Sequence, residues 1–539
     1  MANKISNTQH SGLRSKSVLP LLFLASIVGL SLPFVYYQLG WLSLFGAVPF
    51  LYFLRETAQK KLSAVRQLGL IWAVGIAVFM ITLSWALQTE PDKWASISGW
   101  QAVLALWSIY FVFVTMLSLQ YLVFGCLYLI FKPKLYSKTI FIILPAMWCL
   151  AEAVRSILFS IFMAGPGGSI GIFWNFGALG VASAVTPLGY LSRVVGMFGL
   201  GFLVVVVNIC IFWLLQRRWK LAILILLGIA FSSLICYAVW RPPAESKKIT
   251  VGYLQQSLIY QQEQADLDFY DFIATLVSPL KSKTDVLVLP EYSQFFKNDA
   301  LSSPAQLAQA QDTARAISEA DGSIIVSTEN SNSGKKLNRV VLYSVTGAWQ
   351  AYRDKTFLIP LGEYLPNMFI AIFKLLSQEE LLASHQQTRQ ISQGSAVNSV
   401  LTGSNNIQIG ALACSGAIAP ELYRELALGG AEVLTNSANL GIFSNAPIFH
   451  QQSQQFARFI AISNSRPYIQ SAVGAYSYIL NSDGEFLAET TNPGFRLDSA
   501  QLDIGRARTI YTIFGEWVVW LSAFILLVFG YLRINKYKK

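Results

Sequence analysis

Charge is what this 539-residue chain has least of: Asp, Glu, Lys and Arg make up 13% of it, against roughly a quarter in an ordinary soluble domain. With 54% hydrophobic residues, that shortage argues against a wholly soluble protein. Histidine is scarcer still, with three residues, and cysteine is limited to five. Cys126, Cys149, Cys210 and Cys236 fall in long apolar runs, so Cys414 stands alone in the polar part of the chain. An internal disulfide is thereby excluded there. Neither tandem repeats nor low-complexity segments are present.

What the chain has instead is long uncharged runs. A helix needs about 20 mostly apolar residues to cross a bilayer. Residues 68–88, 101–131, 194–216 and 221–240 suffice, 139–164 is interrupted only by Glu152 and Arg155, and 513–532 follows a long polar stretch. The uncharged run 18–54 is divided by Pro33. Read as a hairpin turning near residues 38–40, it brings the total to eight spans. The N-terminus, 55–67, 132–138, 216–220 and the C-terminus then share one side, with seventeen basic residues against the single acid Glu56. This is the positive-inside pattern. The net charge of +11 therefore reports topology, and a nucleic-acid partner drops out. Both termini are expected to be cytoplasmic, the first span an uncleaved anchor, and residues 241–512 to lie on the outer face. Three parts result: a membrane domain over 1–240 with seven spans, an extramembrane domain over 241–512, and a last span with a basic tail over 513–539. Glu152 and Arg155, three apart on one helix face, are read as neutralising each other in the membrane.

From Ile249 onward short apolar runs alternate with helical patterns. Residues 249–257, 285–293, 322–330, 340–347, 407–415 and 431–439 read as strands, and 264–280, 303–320, 418–429 and 447–464 as helices. Residues 481–484 read as a hairpin turn. The fold class is an α/β domain of layered sheets covered by helices.

Cys414 ends one of these strands, where side chains of α/β sheets meet ligands. Alone it would read as a buried small hydrophobe. A nucleophilic thiol needs a base, and the two histidines of this region, His385 and His450, sit in no recognisable motif; His450 reads as a surface or capping residue. Glu291, at a strand end after Pro290, and Lys355, in the proline-bounded segment 352–366, offer other chemistry. A carboxylate base, an ammonium at the oxyanion and a thiol nucleophile suffice for acyl transfer. Glu363 is either a second carboxylate tuning Lys355 or a structural turn residue.

The order Glu291, Lys355, Cys414 resembles the nitrilase or carbon–nitrogen hydrolase superfamily, whose domain is an α-β-β-α sandwich. With eight spans around it, the chain resembles the apolipoprotein N-acyltransferase family over essentially its whole length. Residues 352–366 are similar to that family's lysine followed by Leu-Val-Pro-Phe-Gly-Glu-Tyr and a proline. Trp148, Glu152 and Arg155 resemble its Trp, Glu, Arg pattern, and Asn464, Arg466 and Pro467 the segment after its late helix. Two places differ. Ser415 and Gly416 stand where the family has an aromatic residue and a glutamate, and residues 435–441 replace its Ser-Asn-Asp-Ala-Trp-Phe-Gly, losing an aspartate and a tryptophan.

The resemblance implies a bacterial inner-membrane acyltransferase with its catalytic domain in the periplasm. Glu291 would be the base, Cys414 the nucleophile, and Lys355 with the Ser415 backbone N–H the oxyanion site. The acyl donor would be a phospholipid and the acceptor a diacylated lipoprotein, in ping-pong chemistry that needs no metal or cofactor. In this scheme loop 365–384, apolar at 368–376, would be a lid or membrane-dipping arm, the alternative being that its apolar residues are ordinary core, and 165–188 would border the lipid's way in. An amidase or acyltransferase acting on another amine, a catalytically weak lipid-binding paralogue, and a transporter are the competing readings.

Overall fold

The computed structural model describes residues 18–90, 99–241, 246–256, 284–291, 324–331, 335–343, 349–395, 400–403, 406–492, 494 and 496–538. Seven of the described helical stretches are long and apolar enough to cross a membrane: Tyr37–Gln59, Ala64–Thr82, Gly99–Phe131, Ile140–Phe162, Pro187–Leu215, Trp219–Val239 and Trp517–Asn535. An eighth, Val18–Phe34, is apolar but shorter. The principal helices are α1 (Val18–Ser31), α2 (Val48–Gln59), α3 (Ala64–Thr82), α4 (Gly99–Phe131), α5 (Ile140–Phe162), α6 (Ser192–Leu215) and α7 (Trp219–Val239). The hairpin in 18–54 exists, but it turns earlier than residues 38–40. A 3-10 turn at Leu32–Phe34, set by Pro33, is followed by extended Tyr36, and the return leg starts at Tyr37. The two legs touch backbone to backbone where Gly29 faces Gly46: a Cβ on Gly29 would lie 2.1 Å from the Gly46 carbonyl oxygen.

Glu152 and Arg155, expected to neutralise each other inside α5, are not in direct contact. Both side chains are fully buried, but they turn to the chain that follows the helix. Glu152 Oε1 accepts from Trp148 Nε1 and from the Leu179 N–H, each at 3.0 Å. Arg155 donates to the Phe176 carbonyl and stacks its guanidinium over Phe79. Backbone groups of a non-helical loop are the stronger claimants here, because they have no helical partner of their own. The two charges act on each other without direct contact, and both side chains also pin 176–179.

Among the described residues, twelve strands form two six-stranded sheets. The first contains β1 (Lys247–Gln255), β2 (Val286–Val288), β3 (Ile324–Ser331), β4 (Leu337–Tyr343), β5 (Trp349–Asp354) and β12 (Arg496–Ile504), in the order β12-β1-β2-β3-β4-β5. The second contains β6 (Leu401–Thr402), β7 (Gln408–Ala413), β8 (Val433–Asn439), β9 (Tyr468–Val473), β10 (Tyr478–Leu480) and β11 (Phe486–Glu489), in the order β11-β10-β9-β8-β7-β6. The central strands are parallel, with Val251 opposite Val286 in one sheet and Ile409 opposite Val433 in the other. Parallel strands are buried on both faces and read as continuous apolar runs, which is why these segments stand out in the sequence. The sheets face each other through Val251, Tyr253, Val286, Ile409, Val433 and Ile469. The expected hairpin at 481–484 joins β10 to β11, with Asn481 N bonding Glu485 O at 3.0 Å.

Beyond the sheets come α8 (Asn367–Leu375), α9 (Glu379–Thr388), α10 (Pro420–Leu428), α11 (Pro447–Asn464) and α12 (Trp517–Lys538). Helices α10 and α11 cover the second sheet, packing Tyr423, Leu426, Phe456 and Ile460 against Leu434 and Tyr468. The expected helices at 264–280 and 303–320, which would form the opposite layer, lie outside the described residues. Two sheets and one helical layer are thus what the structure describes of the sandwich.

The helical layer is also where the two halves meet. Gln452 Nε2 on α11 donates to the carbonyls of Phe34 and Thr82, and Gln455 Nε2 to that of Pro33. On the other side, buried Arg193 pairs with Asp483 at 2.6 Å and donates to the Ile462 and Ser482 carbonyls. Helix α6 is broken at Gly196, whose φ is 70°. The freed N–H groups of Met197 and Phe198 are taken by the two oxygens of Glu516, at 2.8 and 3.0 Å, as expected for an anion at a helix start. Side-chain bonds to stranded backbone groups therefore tie the sandwich to the apolar helices.

Candidate active site

Four short loops at strand ends carry the candidate residues. Buried β2 leads through Pro290 into Glu291, which is 2% exposed. One carboxylate oxygen accepts from Asn338 Nδ2 on β4, the other from the Asn439 N–H at the end of β8, at 3.0 Å. Lys355 directly follows β5, its backbone held by Asn338 O at 2.7 Å and Gly394 N at 3.0 Å. Its ammonium lies 2.6 Å from Glu363 Oε1 and 3.5 Å from Glu291 Oε1. Glu363 sits in a tight turn whose Ile359 N–H donates to its other oxygen at 2.9 Å. Both readings of Glu363 describe one residue: it closes the turn and pairs with Lys355.

Cys414 ends β7 and starts a 3-10 turn, Cys414–Ile418, with φ at 45°. A left-handed cysteine costs of order 1–3 kcal/mol and persists only where the surroundings impose it. Here Asn436 Nδ2 holds the Cys414 carbonyl at 3.3 Å, and the Ser415 hydroxyl donates to the Phe357 carbonyl, tying the thiol's turn to the Lys355 segment. The thiol points at the Asn439 carbonyl, 3.7 Å away, and lies within hydrogen-bonding reach of Glu291. The structure thus brings Glu291, Lys355, Glu363 and Cys414 into one cluster, with Ser415 beside it. Sequence reasoning missed Asn338 and Asn439, which fix both oxygens of Glu291. Asn439 stands inside the segment that departs from the family pattern, while nothing around Asn338 distinguishes it.

Electrostatics favour a neutral thiol at rest. Burial pushes the Cys414 pKa well above its ordinary value, and the charges of Glu291 and Glu363 add to this while Lys355 opposes it. Burial also raises the Glu363 carboxyl, against the pull of Lys355. A thiol so placed attacks as its proton leaves, which requires the base to be in contact. Neither histidine supplies one. His385 faces the Leu361 carbonyl at 3.0 Å. His450 is not the surface residue the sequence suggested: it is 3% exposed, stacked on Tyr476 with ring centroids 4.7 Å apart, and burial lowers its pKa to about 4.

Beside the thiol opens an apolar cavity of about 180 Å³. Cys414 and Ser415 form one end. Ile109, Tyr110 and Phe113 of α4, Phe159 of α5, and Trp174 and Phe176 of the pinned loop form walls on the membrane side. The expectation that 165–188 borders a lipid path falls on these last two residues. Helix α8 has no buried residue, and Leu375 is 83% exposed.

A buried thiol, carboxylate and lysine at the strand ends of a double-sheet sandwich define a protein of the carbon–nitrogen hydrolase class. Residues 252–511 match the carbon-nitrogen hydrolase domain, and residues 26–210 match the apolipoprotein N-acyltransferase N-terminal domain. Together these span most of the sequence, and the chain belongs to the apolipoprotein N-acyltransferase family, whose members are multi-pass membrane proteins. It is 26% identical over 454 residues to the apolipoprotein N-acyltransferase of Allorhizobium ampelinum, covering 79% of this chain and 77% of the relative. It is 21% identical over 500 residues to that of Haemophilus ducreyi, covering 87% and 92%. The carbon–nitrogen hydrolase of Helicobacter pylori G27 aligns in structure at 16% identity with a TM-score of 0.38, covering 50% of this chain and 94% of that one.

Proposed function

We propose that this protein moves an acyl chain from a membrane phospholipid to the N-terminal amine of a diacylglyceryl-cysteine lipoprotein, through a thioester on Cys414. The observation that carries the reading is the cavity. A thiol serving small soluble amides has no use for an apolar chamber walled by membrane helices. An acyl chain does, because each buried CH₂ contributes about 0.8 kcal/mol.

In the first step Glu291 takes the Cys414 proton as sulfur attacks the ester carbonyl. Lys355 Nζ and the Ser415 backbone N–H hold the oxyanion, and the ester C–O bond breaks as Glu291 returns its proton to the departing lyso-phospholipid alcohol. In the second step the amine attacks the thioester, the C–N bond forms, the C–S bond breaks, and the amine's proton passes through Glu291 to restore the thiol. Glu363 positions Lys355 between the two carboxylates. The proposal includes eight spans, with Val18–Phe34 as the short one, both termini in the cytoplasm, a division at about residues 240 and 512, and the sandwich facing the periplasm of a bacterial inner membrane.

Product analysis tests it. Purified protein given phosphatidylethanolamine and a synthetic diacylated lipopeptide is expected to release lyso-phospholipid and N-acylated peptide in equal amounts. Turnover of simple amides without lyso-phospholipid would identify an amidase instead, and binding without turnover a lipid-binding paralogue.

A further inference from the structure

Helix α4 reaches two pockets. Tyr110 lines the cavity beside the thiol, and Tyr128, eighteen residues further along the same helix, lines a second one. At 1.5 Å per residue the two tyrosines stand about 27 Å apart along the axis, close to the thickness of a bilayer's hydrocarbon core. The second pocket therefore sits at the headgroup level of the leaflet remote from the sandwich.

This pocket is open, has a volume of about 560 Å³, and lies between the end of α2, the end of α4 and the turn at 132–138; Arg55, Lys134, Leu135, Tyr136 and Ser137 line it with Tyr128. None of its lining residues is acidic. Its far wall is held in place from outside. Trp213 Nε1 donates to the Leu135 carbonyl at 3.0 Å, and Arg218 donates to the Tyr136 carbonyl at 2.9 Å while its guanidinium lies 4.7 Å from the centre of the Tyr136 ring. Arg55 donates to the Tyr136 hydroxyl and to Glu56, each at 3.1 Å. Glu56 is the single acid in the basic stretches 55–67, 132–138 and 216–220, so the one negative charge of this face is already committed. Arg55 Nε is nevertheless buried without a partner, and Lys134 is exposed.

A guanidinium with a donor to spare, an ammonium and a serine hydroxyl around one space suit a phosphate group. Tyr128 and Leu135 add apolar surface for the glycerol and first methylenes attached to it. Basic pockets between membrane helices hold anionic lipid headgroups in this way, whereas a choline headgroup carries a cation of its own into a site with no free acid. We infer that this pocket binds the phosphate of an anionic phospholipid, of the phosphatidylglycerol or cardiolipin type, in the leaflet remote from the sandwich, with Arg55 and Lys134 as its ligands. The site is separate from the thiol cavity and does not depend on the acyl-transfer reading.

Native mass spectrometry of the full chain in detergent tests this, with phosphatidylglycerol or phosphatidylcholine added at equal concentration. Phosphatidylglycerol is expected to be retained about tenfold more tightly. Each unit of charge beside an anionic headgroup contributes about a fivefold factor, so Lys134→Gln should weaken phosphatidylglycerol binding about fivefold and Lys134→Glu about 25-fold, with phosphatidylcholine binding unchanged. Because Lys134 is exposed, neither substitution disturbs the packed interior. Equal retention of the two lipids would overturn the site. A phosphatidylglycerol preference unaltered by both substitutions would overturn it equally, by placing the lipid elsewhere, and displacement of the lipid by millimolar inorganic phosphate would replace it with a soluble anion as the occupant.

Discussion

Replacing Lys355 with methionine separates the two tasks assigned to this side chain. At an effective dielectric near 20, its attraction to Glu363 at 2.6 Å and Glu291 at 3.5 Å is about 6 and about 5 kcal/mol before desolvation. Most of that offsets the burial of three charges, but removing one partner leaves the others exposed to each other, a loss of roughly 3–5 kcal/mol. A proton then enters the carboxylate pair, and Glu291 ceases to be a free base. The oxyanion site also loses a donor worth roughly 10²–10³ in rate. Lys355→Met is therefore expected to be less stable and to acylate at least about a hundredfold more slowly. Lys355→Met/Glu363→Gln, which removes the spare carboxylate, should regain most of the stability and none of the rate. Single-turnover acylation followed by intact mass, beside detergent-phase thermal melts, reads both quantities. Acylation of the single variant within tenfold of wild type would refute the role of the ammonium, and a double variant no more stable than the single would refute the electrostatic account of the cluster.

Other consequences follow from the same geometry. Glu291→Gln keeps the side chain's shape but removes the base, so acylation should fall by about 10²–10⁴, with the Cys414 alkylation rate in the same preparation as the measure of an intact site. Because burial raises the Cys414 pKa, iodoacetamide should modify it at pH 8 far more slowly than a free thiol; reaction at the free-thiol rate would contradict the neutral resting state. His450 titrates near 6.5 when unfolded and about 4 when folded, so its contribution is complete above pH 6.5 and is lost as pH falls from there to about 4. That gap corresponds to roughly 3 kcal/mol at most, and His450→Gln should flatten this part of the stability profile; unchanged acid limbs would refute it. Ile109→Trp, on the membrane side of the cavity, should cut long-chain acyl adducts about tenfold relative to short ones in a mixed-lipid assay.

What could be read before the structure depended on periodicity and on spacing. Parallel strands β1, β2, β7 and β8 announced themselves as apolar runs, and charge-free stretches marked the spans. Strand β5, reading Trp-Gln-Ala-Tyr-Arg-Asp, has no such run, because an edge strand is half solvated and because Arg353 occupies an inward position normally apolar. Glu152 and Arg155 looked like a self-contained pair since spacing along a helix registers neighbours on the helix alone; the loop carbonyl and N–H that claim them come from residues 176 and 179. The cavity was likewise invisible, its walls drawn from α4, α5, the 172–176 loop and the cysteine turn, segments hundreds of residues apart. Asn338 and Asn439 act through a single amide and a single backbone N–H, and no pattern of residue types distinguishes such positions.

The central claim is that Cys414 carries an acyl group taken from phospholipid. Incubating the purified protein with phospholipid micelles and no acceptor, then measuring its intact mass, tests it most directly. The expected result is one added acyl chain, removed by hydroxylamine and missing in Cys414→Ser. A wild-type mass without adduct, from folded protein whose Cys414 remains free, would contradict the account.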